Sequence, residues 1–219
     1  FSTSSPFWRG EDTGLKSYRL SVFDELPRTG IPNVFESWPE YRRHVDALVG
    51  AGLIEDATKL WWDVRPSDRF PTLEMRITDV CTWVDDAVAV AALYMCVLRM
   101  LYRLKKENQR WRQYASMLNE ENRWRAQRYG LDEGLVDFGK GEIVPCTRLL
   151  EEIQELIHED AEALGCTSEI GHLETIIKDG TSAHRQLAVY SVALSRGASR
   201  EEALIEVVDR LIEETRKTD

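Results

Sequence analysis

WWDVRPSDRFPTLEMRIT, residues 61–78, is the stretch on which the reading of this chain turns. Side chains of a strand alternate between its two faces, so Glu74, Arg76 and Thr78 share one side of TLEMRIT while Leu73, Met75 and Ile77 take the other. WWDVR behaves alike, with Asp63 and Arg65 opposed to Trp62 and Val64, and the connection PSDRFP is short and rich in turn formers. The pattern predicts two antiparallel strands with one charged face. A carboxylate and a guanidinium two residues apart on a stiff strand can hold a magnesium ion and a phosphate side by side. Spacing alone favours a plainer reading, a solvated face laced with ion pairs, since exposed pairs are common and worth only about 0–1 kcal/mol.

Outward from this hairpin the chain turns helical. On its N-terminal side, residues 1–37 are punctuated by Gly10, Gly14, Pro27, Gly30 and Pro32, and Trp38-Pro39 opens a helix that Tyr41, Val45, Leu48 and Val49 carry to Gly50 or Gly52. On its C-terminal side, Asp85 and Asp86 fit the first turn of a helix running to about Leu104, where their charge complements the dipole. Apolar residues on nearly every side of that helix predict a central element packed all round. A second helix is expected from about Glu107 to Tyr129, ending at Gly130. GLVDFGKGEIVP then reads as a small hairpin turning at Gly139-Lys140-Gly141, a plain turn because the phosphate-loop pattern is missing. Four helices follow at 147–164, 168–178, 182–194 and 199–216, with Gly165, Gly180 and Gly197 at their ends and a capping box at Ser199 and Glu202. The tail therefore reads as a helical layer covering a sheet.

Composition sets outer bounds. The 219 residues suffice for one large domain with a substantial core, and 38 acidic against 28 basic residues, a net charge of −10, argue against a general nucleic-acid binder. Charge is uneven. Residues 103–128 carry eight Lys/Arg against three Asp/Glu, a stretch that suits either a polyphosphate or a solvated helix face. Cys81, Cys96, Cys146 and Cys166 have no metal-ligand spacing with the four histidines and read as reduced thiols of a cytoplasmic protein, Cys96 as a packing residue. No signal or transit sequence is visible, and the longest uninterrupted apolar run, Ala87 to Leu98, is twelve residues, too short for a bilayer, so no membrane partner is expected. The chain opens at Phe1 and reads as part of a longer protein.

Three ordered motifs add a resemblance. SSPFWRGEDTGLKSYR near the start, WDVRPSDRFPTLEMRITDVC, and ENRWRAQRYG later together closely resemble the carboxylate-amine ligase branch of the glutamate-cysteine ligase family, from about the first residue to the last. The resemblance implies a ligase that moves the γ-phosphoryl group of ATP onto the γ-carboxylate of glutamate, giving an acyl phosphate that cysteine or another small amine attacks. ATP and Mg2+ are the implied cofactors. Phosphoryl transfer asks mainly for positioning and for neutralisation of oxygens.

By the same resemblance Glu74 matches a magnesium ligand, and Arg76 the arginine on the transferring phosphoryl group, where only a guanidinium fork grips two oxygens at once. Arg19 matches an arginine for the substrate carboxylate. Trp8 fits a wall of the amine pocket, or the core. Asp63, Arg65 and Asp79 are expected to orient Glu74 and Arg76, and Asn122, Arg125 and Arg128, at helical spacing, to reach nucleotide or to serve structure. No histidine is assigned a catalytic role. Family members begin with a strand carrying a glycine and a run of glutamates that supplies most metal ligands, and nothing here matches it. Residues 1–219 are thus expected to be the C-terminal portion of a single ligase domain, associating with the missing N-terminal segment or forming a homo-oligomer.

The expected fold is α+β: an antiparallel sheet with a charged active-site face, built partly by residues outside this chain and backed by helices at 38–52, 82–129 and 147–216, as in glutamine synthetase and guanidino kinases. Competing functions are a γ-glutamyl ligase for a different amine, a non-catalytic helical interaction module on the ligase scaffold, and a guanidino kinase or glutamine synthetase relative.

Overall fold

Helical periodicity dominates the chain after Asp79, and strands are confined to brief pairs. A computed structural model describes residues 1–216. They divide into two units, one made of Phe1–Tyr18 with the chain from Asp79 onward, the other of Arg19–Thr78.

The N-terminal piece of the first unit forms β1 (Phe7–Trp8) and β2 (Glu11–Asp12), an antiparallel pair closed by Arg9 and Gly10, both at positive φ. Helix α1 (Tyr18–Asp24) leads into the second unit, which holds β3 (Thr29–Gly30), α2 (Trp38–Gly50), a single 3-10 turn (Ala57–Lys59), β4 (Trp61–Trp62), β5 (Val64–Pro66) and β6 (Leu73–Met75). Pro39 sits in the first turn of α2, where its missing N–H costs nothing, and the Ser37 side chain accepts from the Glu40 N–H to cap it. The helix buries Tyr41 and Val45 against Ile54, Ala57 and Leu60, with Phe35 and Trp62 at the margin. Strand β3 pairs parallel with β4, and β5 antiparallel with β6 in the register Val64↔Met75, Arg65↔Glu74, Pro66↔Leu73.

In the first unit follow α3 (Val84–Lys106), α4 (Ser116–Tyr129), β7 (Leu135–Asp137), β8 (Glu142–Val144), α5 (Cys146–Leu164), α6 (Thr167–Asp179), α7 (Ser182–Ser195) and α8 (Arg200–Arg216). The core lies where α3, α5 and α6 meet. Ala89, Ala92, Cys96 and Met100 pack against Leu150, Ile157, Ala161, Ile170, Leu173 and Ile176, the alanines letting the helices approach closely. Tyr190, Ala193, Ala203 and Val207 form a second core between α7 and α8, with Phe7 edge-on to Tyr190 at 5.0 Å. Buried Asp160 of α5 receives Arg99 and Arg103 from α3. Arg185 reaches Asp86 and Glu214, each at 3.3 Å, and stacks on Trp83 with its carbon 3.6 Å from the ring centre.

The α+β class and the terminal helices agree with the sequence reading, including the Ser199–Glu202 capping box and the hairpin before Pro145. Four points differ. The described strands form four two-stranded pairs, not one sheet, because each run of extended backbone is only two or three residues long. Helix α4 starts at Ser116 and not Glu107. Asn108 takes φ +57° and the Gln109 N–H returns to the Leu104 carbonyl at 2.8 Å, so a left-handed asparagine closes α3 where a new helix was expected to begin. Helix α3 is not enclosed: Val84, Val88, Met95 and Tyr102 lie on an exposed face. Its 23 residues are long and apolar enough to cross a membrane, which a count of uninterrupted apolar residues underestimated because the helix continues through Arg99 and Arg103.

Candidate active site

Cross-strand register builds the charged cluster of the second unit. Arg65 and Glu74 stand directly opposite each other on β5 and β6, and Arg65 Nε donates to Glu74 Oε2 at 2.8 Å. Arg76, just past the end of β6, donates through Nη1 to Glu74 Oε1. The turn at its base is fixed by backbone, since the N–H groups of Arg76 and Ile77 both reach the Asp63 carbonyl, at 2.7 and 3.1 Å. Glu74 is therefore held at both oxygens. Burial works against its charge, but the hydrogen bonds and charges of Arg65 and Arg76 outweigh burial and hold the carboxyl below its usual range.

The two arginines are not equivalent. Arg65 also donates from Nη1 to the carbonyls of Thr58 and Leu60, at 2.7 and 2.6 Å, which fastens the hairpin to the 3-10 turn. Arg76 retains donor capacity: its Nε is buried with no hydrogen-bond partner among the described residues. Arg19 of α1 donates to the carbonyls of Arg76 and Ile77, at 2.9 and 3.4 Å, while its guanidinium lies over the Phe23 ring at 4.7 Å. Arg19, Phe23, Gly30, Trp61, Asp63 and Arg76 line one recess. Three guanidinium groups and two carboxylates, Arg19, Arg65 and Arg76 with Asp63 and Glu74, leave this face net positive. Its chemistry is that of an anion site.

Magnesium fits these residues poorly. Among the described residues no three His, Cys, Asp or Glu side chains converge as ligands, and Glu74 is already neutralised by two guanidinium groups. With both of its oxygens already accepting from guanidinium groups, Glu74 by itself cannot supply the six-oxygen octahedron that the ion needs.

The remaining predicted residues belong to the first unit. Asp79 is buried and accepts from the Ser4 N–H, the Ser5 hydroxyl and the Ser17 hydroxyl, each at 2.9 Å, tying both ends of SSPFWRGEDTGLKSYR together. Trp8 is no core residue: it is 45% exposed, packed beside Tyr18 at 5.4 Å. Asn122 makes a two-way pair with the backbone of Val136, at 2.9 and 2.7 Å, which fixes β7. Arg125 donates to the carbonyls of Gly134 and Glu133, and Arg128 to that of Gly14 at 3.1 Å, while both stack on Tyr129. These three residues clamp main chain.

Sequence reasoning missed the serines that grip Asp79 and the link from Lys16 through Asp132 to His184 and Thr181. That link passes Gly130, at φ +59°, where an added Cβ would stand 3.0 Å from the His184 ring. The only local signal was the lack of any other reason for polar residues at those positions.

Comparison with known proteins gives a single answer. The family described as glutamate-cysteine ligase family 2 matches residues 1–210. A protein of Rhodospirillum rubrum carrying the provisional name glutamate–cysteine ligase 2 is 64% identical over 214 residues, which cover 98% of this chain and 55% of that protein. Proteins of the same provisional name from Jannaschia sp. and Sorangium cellulosum are 52% and 49% identical, over 97% and 98% of this chain and 56% and 55% of their own lengths. The chain thus spans about half the length of the curated relatives it matches.

Proposed function

This chain belongs to glutamate-cysteine ligase family 2, and from that membership we propose that it forms part of an ATP-dependent carboxylate-amine ligase. The reaction joins the γ-carboxyl of glutamate to cysteine or another small amine through an acyl phosphate. The observation that carries this reading is the Arg65–Glu74–Arg76 cluster, a preorganised anion site on a hairpin fixed at both ends. Arg76 is the phosphoryl-binding group, because its buried Nε is a donor left without a partner, while Arg65 Nε and Nη1 are spent on Glu74 and on the Thr58 and Leu60 carbonyls. Arg19 holds the β6 end in place and adds the charge that draws the substrate carboxylate. ATP and Mg2+ are the proposed cofactors, with metal ligands beyond Glu74, and the larger carboxylate-lined sheet, supplied by the part of the fold that the relatives carry outside the matched stretch. Four unpaired cysteines support a reducing, cytoplasmic setting.

A solvent-exposed Trp8 supports a pocket wall for the acceptor, and acceptor identity is where a ligase for a non-cysteine amine diverges. Single-group differences there are worth only about 1–3 kcal/mol. The test is ADP release by the full-length protein given ATP, magnesium, glutamate and a panel of amines. Release with cysteine as the best acceptor supports the reading, and Trp8→Ala should reorder the panel. No ADP above background with any amine would overturn it.

A further inference from the structure

The four cysteines of the chain are not alike. Cys96, in the middle of α3, is completely buried within the core that α3 shares with α5 and α6. Cys166 stands half-buried where α5 has ended and α6 begins, and its Sγ lies 3.5 Å from Cys96 Sγ in a thiol–thiol hydrogen bond. Cys81 and Cys146 make no such contact among the described residues. Packing accounts for one buried cysteine in α3, since a free thiol there behaves as a small apolar group. It does not account for a second sulfur brought against the first from a turn 70 residues further along the chain. That turn fixes Cys166: Gly165 closes α5 at φ +68°, the Cys166 N–H returns to the Ala161 carbonyl at 3.0 Å, and the Cys166 carbonyl accepts from the Ile170 N–H at 3.1 Å. A Cβ added to Gly165 would meet nothing within 4 Å, so the backbone beside Cys166 faces open space. A small molecule can therefore approach Cys166, whereas Cys96 is reached only through it. Burial, and after it the hydrogen bond to Cys166, pushes the Cys96 thiol up, so Cys96 keeps its proton and acts as the donor of the pair.

We propose that Cys96 and Cys166 form a reversible dithiol–disulfide site whose co-reactant is a low-molecular-weight disulfide. Cys166, as its thiolate, attacks one sulfur of the small disulfide. The S–S bond of that molecule breaks, one half leaves as a thiolate, and a mixed disulfide is left on Cys166. Cys96 then loses its proton and attacks the Cys166 sulfur, the Cys96–Cys166 bond forms, and the second half leaves. Two protein thiols are oxidised, one small disulfide is reduced to two small thiols, and the two protons released by the protein end on those thiols. The sulfurs start in contact, and bonding brings them to about 2.05 Å. The new bond ties α3 to the start of α6, two helices that the Asp86–His172 pair already joins. The inference rests on these two side chains and not on the proposed ligation chemistry.

The experiment equilibrates the full-length protein with graded mixtures of glutathione and glutathione disulfide, quenches by alkylation, and maps the cysteines by mass spectrometry. Chymotryptic cleavage after Trp83 and Tyr94 separates Cys81 from Cys96. A linked Cys96–Cys166 pair should form while Cys81 and Cys146 are alkylated, and dithiothreitol should reverse it. Because the fold holds the two sulfurs in contact, the equilibrium constant for the link should be at least tenfold higher in the folded protein than in urea, a difference of about 30 mV. Cys96→Ala should trap glutathione on Cys166, and Cys166→Ala should leave Cys96 unmodified. Equal constants with and without urea would overturn the proposal. So would glutathione settling on Cys81 or Cys146 in preference to Cys166, or alkylation of all four thiols at every ratio. None of these readouts depends on ADP release, so the ligase reading stands or falls separately.

Discussion

Arg76 carries the sharpest claim at the scale of single residues. Its partner Glu74 is also held by Arg65, so replacing Arg76 with lysine keeps one positive charge and removes the planar fork, leaving the hairpin fastened through Arg65. On the proposed ligase reading, Arg76→Lys in the full-length protein should lower turnover by about 100-fold, the scale of losing one preorganised donor to a developing anion. Thermal stability should stay unchanged. A variant with near-normal turnover would show that the phosphoryl group is gripped elsewhere. The neighbouring residues were legible to different depths. Glu74 and Arg76 could be placed on one face from the strand period, but that Arg65 stands opposite Glu74 is a matter of register, which depends on how the loop at 67–72 closes. Asp79 was read as an orienting group for that face. Its three serine donors show it binding the N-terminal segment, a pairing across more than 60 residues of sequence that no local pattern encodes.

Among the elements, α3 and α5 are joined by the charged cluster at Asp160. This carboxylate is fully buried, and although burial opposes its charge, Arg103 and then Arg99 outweigh burial and hold the group below its usual range. Asp160→Asn should destabilise the chain by about 2 kcal/mol, because one guanidinium keeps a neutral acceptor oxygen while the other faces an N–H2 donor and the charge that both pair with is gone, offset in part by their access to water. In a chain of this size that corresponds to a Tm lower by about 4–8 °C, readable by calorimetry. An unchanged Tm would mean that Glu159, 2.7 Å from Arg103, suffices. Helix existence was legible here because apolar spacing recurs through four segments after residue 146, with Gly165, Gly180 and Gly197 between them. The start of α4 was not: ENQRWRQYA has helical composition, yet after the left-handed Asn108 the chain stays non-helical as far as Ala115.

For the whole molecule the acid response follows from groups whose protonation is displaced by folding. Burial is the main influence on His184 and holds it below 6.5 despite Asp132, so its contribution is complete above that pH and is lost as pH falls below it. Glu74 and Asp160 are also displaced downward, and their contributions are lost only lower, as pH falls below about the ordinary carboxylate range. Tm should therefore decline in two stages on acidification, a shallow one starting near 6.5 that His184→Asn alters and a steep one among the carboxylates. A Tm that rose as pH fell below 6.5 would contradict the assignment of His184 as a buried neutral group. Taken as a whole, the sequence by itself determined the α+β class, the terminal helices and the family, because apolar period, caps and contiguous motifs are local properties of the chain. Tertiary structure alone decided which face of α3 is buried, which arginine has a donor to spare and what Asp79 holds. Those outcomes depend on which distant surfaces meet, and a helix apolar on two sides carries no local mark of the side its neighbours will cover.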